Sequence, residues 1–244
     1  MIRQQMGISR SFLMYYGIPG RHKRLRQFYS QFIQSGDLCF DIGAHVGNRT
    51  RTWAGLGAQV VALEPQPHLM SWLQRLFANN RKVTLLAEGV AAQSGTATLH
   101  ISELTPTVST LSTEWITAVQ EDPSFAAVKW DTAITINVVT LDELIARYGR
   151  PAFCKIDVEG YELEVLKGLS QPLPVLSFEL IASAKALALA CLQRLSELGS
   201  YEFNYSAGES HQWTFECWIA EKEIVGFVQK MEAGSGDVYC RLVE

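Results

Sequence analysis

The chain has 244 residues, 48% of them hydrophobic and 19% charged, with a formal net charge of −4. That length and balance suit one α/β domain with a sizeable core, and they exclude a disordered chain or one held to nucleic acid by its overall charge. The charge is uneven, because Arg3, Arg10, Arg21, Lys23, Arg24 and Arg26 precede the first acidic residue, Asp37.

Residues 1–36 read as a helical basic arm. Its cations suit a phosphate, a membrane surface or an anionic substrate, and equally a solvated helix face. Residues 11–35 carry Phe12, Tyr15, Tyr16, Phe28, Phe32 and Ile33 on apolar faces, broken at Pro19-Gly20 and closed by Gly36. Met1–Tyr16 lacks the apolar run of a secretory leader. No span approaches the roughly 20 apolar residues needed to cross a bilayer. Cys39, Cys154, Cys191, Cys217 and Cys240 are odd in number and lack a CxxC pair, which predicts neither a disulfide nor a zinc framework. The cytoplasm is the expected compartment.

Short apolar runs then alternate with helical stretches. Strands are predicted at 38–42, 59–64, 83–87, 96–101, 135–139, 153–157 and 175–180. Helices are predicted at 48–56, 66–79, 141–148, 161–169 and 182–198. Residues 105–133 read as loop with one short helix, and the tail offers strands at 201–206, 214–220 and 237–243. Strands alternating with helices imply a mostly parallel sheet covered on both faces, and the tail suggests an antiparallel edge.

Ligands of such sheets sit beyond the carboxyl ends of the strands. The first strand runs into Asp41-Ile-Gly-Ala-His-Val-Gly-Asn48. Gly43 permits a sharp turn, Gly47 a close backbone approach, and Asp41 accepts from an ammonium group. The helix start at Asn48 offers free N–H groups to a carboxylate. The spacing is G-x-x-x-G, and His45 stands where a dinucleotide fingerprint requires glycine. Glu64, at the second strand end before Pro65, can accept two ribose hydroxyls. Asp157 and Glu159 stand two apart after the fourth main strand, where a general base or metal ligand would sit. Glu162 and Glu164 read as acids at a helix N-terminus. Glu179 ends the next strand, and His211 and Trp213, in a polar loop, are candidates for an acceptor pocket.

Together these segments resemble the FkbM family of S-adenosylmethionine-dependent methyltransferases. The resemblance runs from about Asp37 to Leu180. It is most specific in Lys155-Ile-Asp-Val-Glu-Gly-Tyr-Glu-Leu-Glu-Val-Leu-Lys-Gly168, with support from Phe40–Asn48, Leu63–Pro67, Gly95–Leu99 and Val139–Leu144. It implies a Rossmann-like class I methyltransferase fold over residues 37–244, a seven-stranded, mostly parallel sheet whose last strand is antiparallel. It implies that Asp41, Gly43, Ala44, His45, Gly47 and Asn48 hold the methionine end, Glu64 with Pro65 the ribose, and Glu88, Val90 and Ala91 the adenine. It also implies O-methylation of a sugar, polyketide or other secondary metabolite.

Methyl transfer to a hydroxyl requires a proton acceptor, and Asp157 or Glu159 would serve as catalytic residue. A divalent cation on these carboxylates is conceivable but is not the expectation. The alternatives are a nicotinamide-dependent oxidoreductase, which His45 disfavours, and a non-catalytic S-adenosylmethionine-binding protein.

Overall fold

The computed structural model describes Gly7, residues 10–12 and residues 15–243. Of the basic arm, Arg3 lies outside the described residues. In the arm the described residues 10–12 and 15–16 are helical, the chain breaks at Pro19-Gly20 as expected, helix α1 covers Arg21–Tyr29, and the chain then turns through Gly36 at φ 96°.

The main sheet contains β1 (Leu38–Ile42), β2 (Gln59–Leu63), β3 (Val83–Leu86), β7 (Phe153–Ile156), β8 (Val175–Ile181), β9 (Tyr201–Ala207) and β10 (Ser235–Leu242). Its order is β3-β2-β1-β7-β8-β10-β9, parallel up to β8, with β10 antiparallel to both neighbours. This is the seven-stranded arrangement of the class I methyltransferase fold.

Strand alternation explains why both faces are covered. Phe40, Ile42, Val61, Leu63, Cys154 and Ile156 join one apolar cluster; Cys39, Val60, Ala62 and Phe153 join the other. The first cluster receives α5 (Leu141–Tyr148), α6 (Glu162–Lys167), α7 (Lys185–Leu198) and α8 (Glu221–Lys230). The second receives α1, α2 (Asn48–Leu56) and α3 (Pro67–Leu76). Leu25, Phe28 and Tyr29 of α1 are buried there, so the arm's apolar face belongs to the core.

Three expectations are corrected. The strands near 96–101 and 135–139 leave the main sheet and form a second one, β4 (Gly89–Val90), β6 (Thr132–Val139) and β5 (Gly95–Ile101) in that order. Residues 214–220 are not a strand; only a bridge between Phe203 and Ile219 pairs that loop. Helix α8 was not foreseen. Its Gly226, Ile224, Val225 and Val228 are weak helix formers, and the burial of Ile224 and Val228, four apart, compensates. The loop at 105–133 does hold one short α-helix, α4 (Thr113–Val119).

The five cysteines are free thiols, four buried and Cys217 exposed. No helix among the described residues is long and apolar enough to cross a membrane.

Candidate active site

A cleft opens at the carboxyl ends of β1, β2 and β7, walled by Asp41, Glu64, Glu88, Asp157 and Glu159, the place where open parallel sheets bind their ligands. The first loop forms its floor. Gly43 has φ 85°, and its amide and that of Ala44 donate to the Leu63 carbonyl at 3.0 and 2.8 Å. A Cβ at residue 43 would lie 1.9 Å from the Asp157 carbonyl oxygen. Gly43→Ala therefore forces the ends of β1 and β7 apart. We expect it to lower S-adenosylhomocysteine affinity at least about tenfold and stability by about 2–4 kcal/mol, read by calorimetry and thermal melting. Gly47 serves a different purpose: a Cβ there would meet Leu73 and Phe77 side-chain atoms at 2.7 and 2.9 Å, so it lets α2 approach α3 and does not line the cavity.

Asp41, Ala44, His45 and Asn48 do line it. Asp41 is almost fully buried and accepts from the Thr50 hydroxyl, and burial raises its pKa. His45 adopts φ 50°, and burial lowers its imidazole pKa to about 4, keeping the ring neutral. Glu64 accepts the His45 and Gln66 amides, one on each carboxylate oxygen, both at 2.9 Å. Each oxygen retains a lone pair for a ligand hydroxyl. Burial pushes the Glu64 pKa up to about 7.

Pro65, Glu88 and Val90 continue the wall, with Glu88 paired to Arg147 at 3.5 Å. Ala91 stands behind it. Its amide donates to the Val139 carbonyl, and its own carbonyl lies so close to Gly168 that a Cβ there would approach to 2.4 Å.

Asp157, Val158 and Glu159 face the same cavity from the end of β7. Lys155, fully buried, bridges Asp157 and Asp237 at 3.0 Å each. Burial opposes the Asp157 charge, but Lys155 and Arg49 outweigh it and hold its carboxyl below the usual range. Glu159, at φ 53°, behaves oppositely: burial, Glu179 and Asp157 push it well above that range. Carboxylate oxygens of Asp157, Glu159 and Glu179 lie within 4.8 Å of one another, the set among the described residues with the geometry to hold a metal ion.

Glu162 is buried and accepts the Val158 and Gly160 amides at 3.3 and 3.2 Å, fixing the loop as a capping acid. Gly160, at φ 85°, is required because Trp115 of α4 packs on it; a Cβ would come within 2.0 Å of the indole.

His211 and Trp213 are not on the cavity wall. His211 is buried against Phe28 and Tyr29, and its Nδ1 donates to the Glu209 carbonyl at 2.9 Å. Trp213 packs on Phe28 and Tyr239 and donates to Gln31 at 3.2 Å. The aromatic residues of α1 draw both inward.

Five site residues were missed: Lys155, Arg49, Tyr15, Glu209 and Asp237. Tyr15 and Arg49 line the cavity. Arg49 reaches Glu209 at 2.9 Å, Asp237 at 3.7 Å and Asp157 at 3.9 Å. The available signal was a charge inside an apolar strand, as in Phe153-Cys-Lys-Ile156 and Gly236-Asp-Val-Tyr239. A buried charge demands a partner.

Sheet order and cleft together define a Rossmann-like α/β fold of the class I type with a ligand site at its strand ends. Residues 41–199, well over half of the chain, match the family described as Methyltransferase FkbM domain, and the chain belongs to that family of S-adenosylmethionine-dependent methyltransferases. It is 27% identical over 154 residues to the hexuronic acid methyltransferase AglP of Haloferax volcanii, covering 61% of this chain and 56% of that protein. The match thus spans little more than half of the relative's length.

Among solved structures it is similar to a precorrin-6y C5,15-methyltransferase of Geobacter metallireducens (12% identity, 90% of this chain and 86% of that one, TM-score 0.48). It is also similar to an rRNA methylase of Streptococcus thermophilus (11%, 90% and 94%, TM-score 0.47). These are remote likenesses, and the strand order carries the fold assignment.

Proposed function

We propose that the protein transfers the methyl group of S-adenosylmethionine to a hydroxyl oxygen of a sugar. The observation that carries this reading is that Asp157 and Glu159 open into the same cavity as Asp41, His45 and Glu64. The residues fit the cofactor. Glu64 keeps two lone pairs for the ribose hydroxyls, Asp41 and the Asn48 helix start suit the amino-acid end, and Glu88 and Val90 border the space for the base. Bound there, S-adenosylmethionine supplies an electrophilic methyl group.

The chain's own residues then act on the acceptor. Asp157, kept ionised by Lys155, accepts a hydrogen bond from the hydroxyl and orients it. Glu159 receives the proton as the ether forms; burial, Glu179 and Asp157 raise its proton affinity, which suits a proton acceptor. Alignment alone supplies roughly 7–11 kcal/mol in favourable cases. Residues 37–244 are taken as the catalytic domain, with the arm adding Tyr15 to the cavity.

The sugar assignment is supported by carboxylates suited to hydroxyl donors and by the acceptor class in the AglP name. The test is incubation with S-adenosylmethionine and a panel of glycosides, followed by mass spectrometry. A methyl ether formed one-for-one with S-adenosylhomocysteine is expected. S-adenosylhomocysteine binding with no methylated hydroxyl in any glycoside would overturn the assignment and favour a binding-only protein.

A further inference from the structure

Building on the reading of a sugar hydroxyl as acceptor, we propose that the basic arm forms the acceptor wall of the site: Tyr15 contacts the sugar ring, and Arg21, anchored on Glu209, holds Tyr15 in place. The arm is fastened to the cofactor loop by side chains one helical turn apart. Ser11 and Tyr15 share a face and meet His45, the serine Oγ 3.4 Å from Nε2 and the tyrosine ring edge-on at 5.6 Å. Phe12 and Tyr16 share the next face. Phe12 packs edge-on against Trp72 at 4.4 Å, and the Tyr16 hydroxyl donates to the Val46 carbonyl at 3.1 Å. Tyr15 is thereby set in the cleft wall beside His45 and Arg49.

The acceptor oxygen must lie between the cofactor's methyl group and the carboxyl groups of Asp157 and Glu159. Tyr15 flanks that gap. Its ring packs on His45 of the cofactor loop, and the charges of Asp157 and Glu159 act on its hydroxyl. Burial pushes the phenol above its ordinary pKa, Glu209, Asp157 and Glu159 add to the rise, and Arg49 opposes it. The hydroxyl stays protonated and offers a donor beside carboxylates that accept. Ring and hydroxyl together match the amphipathic surface of a sugar. Arg21 explains why the ring stays there. Arg10, Lys23, Arg24 and Arg26 of the arm are exposed, whereas Arg21 is buried. Its guanidinium lies 5.3 Å from the Tyr15 ring centroid, where the ring's quadrupole attracts it, and 3.0 Å from the Glu209 carboxylate.

The test measures acceptor KM and kcat with the methyl glycosides that the parent methylates, and S-adenosylhomocysteine affinity by calorimetry. The variants are Tyr15→Phe, Tyr15→Leu, Arg21→Met and Tyr15→Leu combined with Arg21→Met. Arg21→Met leaves Glu209 its pairing with Arg49 at 2.9 Å, so it spares the neighbours of Asp157. Tyr15→Leu is expected to raise acceptor KM about tenfold through loss of the ring. Tyr15→Phe, which keeps the ring, should raise it about threefold through loss of one hydrogen bond. In both, kcat and S-adenosylhomocysteine affinity should stay within about twofold, because a contact made equally in ground and transition states acts on KM alone. Arg21→Met should raise KM about threefold in the parent and leave it unchanged in Tyr15→Leu, the non-additivity of a residue that acts through that ring. Unchanged KM in both Tyr15 variants overturns the inference and leaves the sugar reading intact. So does S-adenosylhomocysteine affinity that falls as far as KM rises, since the arm then covers the cofactor. An Arg21→Met effect undiminished in Tyr15→Leu overturns the positioning role of Arg21. Methylation of no glycoside by the parent, with S-adenosylhomocysteine still bound, overturns the sugar reading and the inference with it.

Discussion

Glu159→Gln is expected to lower kcat by about 10²–10⁴-fold, the usual worth of a positioned proton acceptor, while S-adenosylhomocysteine binds within about twofold of the parent. The amide keeps the size of the side chain but cannot take the hydroxyl proton. The pH profile distinguishes this from a structural effect. In the parent, Glu159 must be deprotonated to act, so kcat falls as pH drops through its raised pKa. The Gln variant has no such acid limb.

Asp157→Asn lowers kcat for a different reason. It removes the charge that orients the hydroxyl, yet leaves Glu159 in place. Asp157 is one of the charges raising the Glu159 pKa, while Lys155, still held by Asp237, lowers it. The acid limb should therefore persist and move to lower pH. Unchanged turnover in both variants would remove these acids from the chemistry.

Lys155→Met carries the largest expected cost in stability. It leaves Asp157 and Asp237 without the ammonium that bridges them at 3.0 Å each. Breaking a buried ion pair by removing one partner costs about 3–5 kcal/mol, or a fall in Tm of roughly 6–20 °C for a chain of this size. The deficit should depend on pH in a set direction. In the parent, the Asp157 pKa is depressed, so its contribution is fully present above the unfolded value and is lost as pH falls through the folded one. In the variant Asp157 loses its main cation, its folded pKa rises, and the deficit shrinks on acidification. Adding Asp237→Asn to Lys155→Met should recover part of the loss. Equal melting of Lys155→Met and the parent would show that the bridge contributes nothing.

Much of the fold was legible because its signals are local. Short, nearly continuous apolar runs in Leu38–Ile42, Gln59–Leu63 and Phe153–Ile156 mark strands buried on both faces. The turn at Gly43 and the carboxylate of Glu64 are also local features, and the structure puts both at one cavity. Helix α8 escaped because it depends on packing of Ile224 and Val228, which overrides weak propensity. The ion set escaped because pairing register is not written in composition. Lys155 meets Asp237 only because β10 runs antiparallel to β8, placing Asp237 opposite Glu179. Arg49, second residue of α2, has the look of a solvated helix start until Glu209 arrives from a distant loop. His211 and Trp213 were misplaced because their partners, Phe28 and Tyr239, lie far away in the chain.

The insertion of β10 between β8 and β9 has a consequence for the order of folding. β9 leaves the ribosome before β10, yet it pairs with no other strand. During synthesis it must wait as an open edge, and the centre of the sheet must wait with it. Lys155 and Arg49 are translated long before Asp237, so both cations spend that interval without one of their counter-charges. Final closure is a non-local step of the kind that slows folding and exposes strands to wrong partners. Catalytic competence should therefore appear late in refolding, with the docking of the last strand.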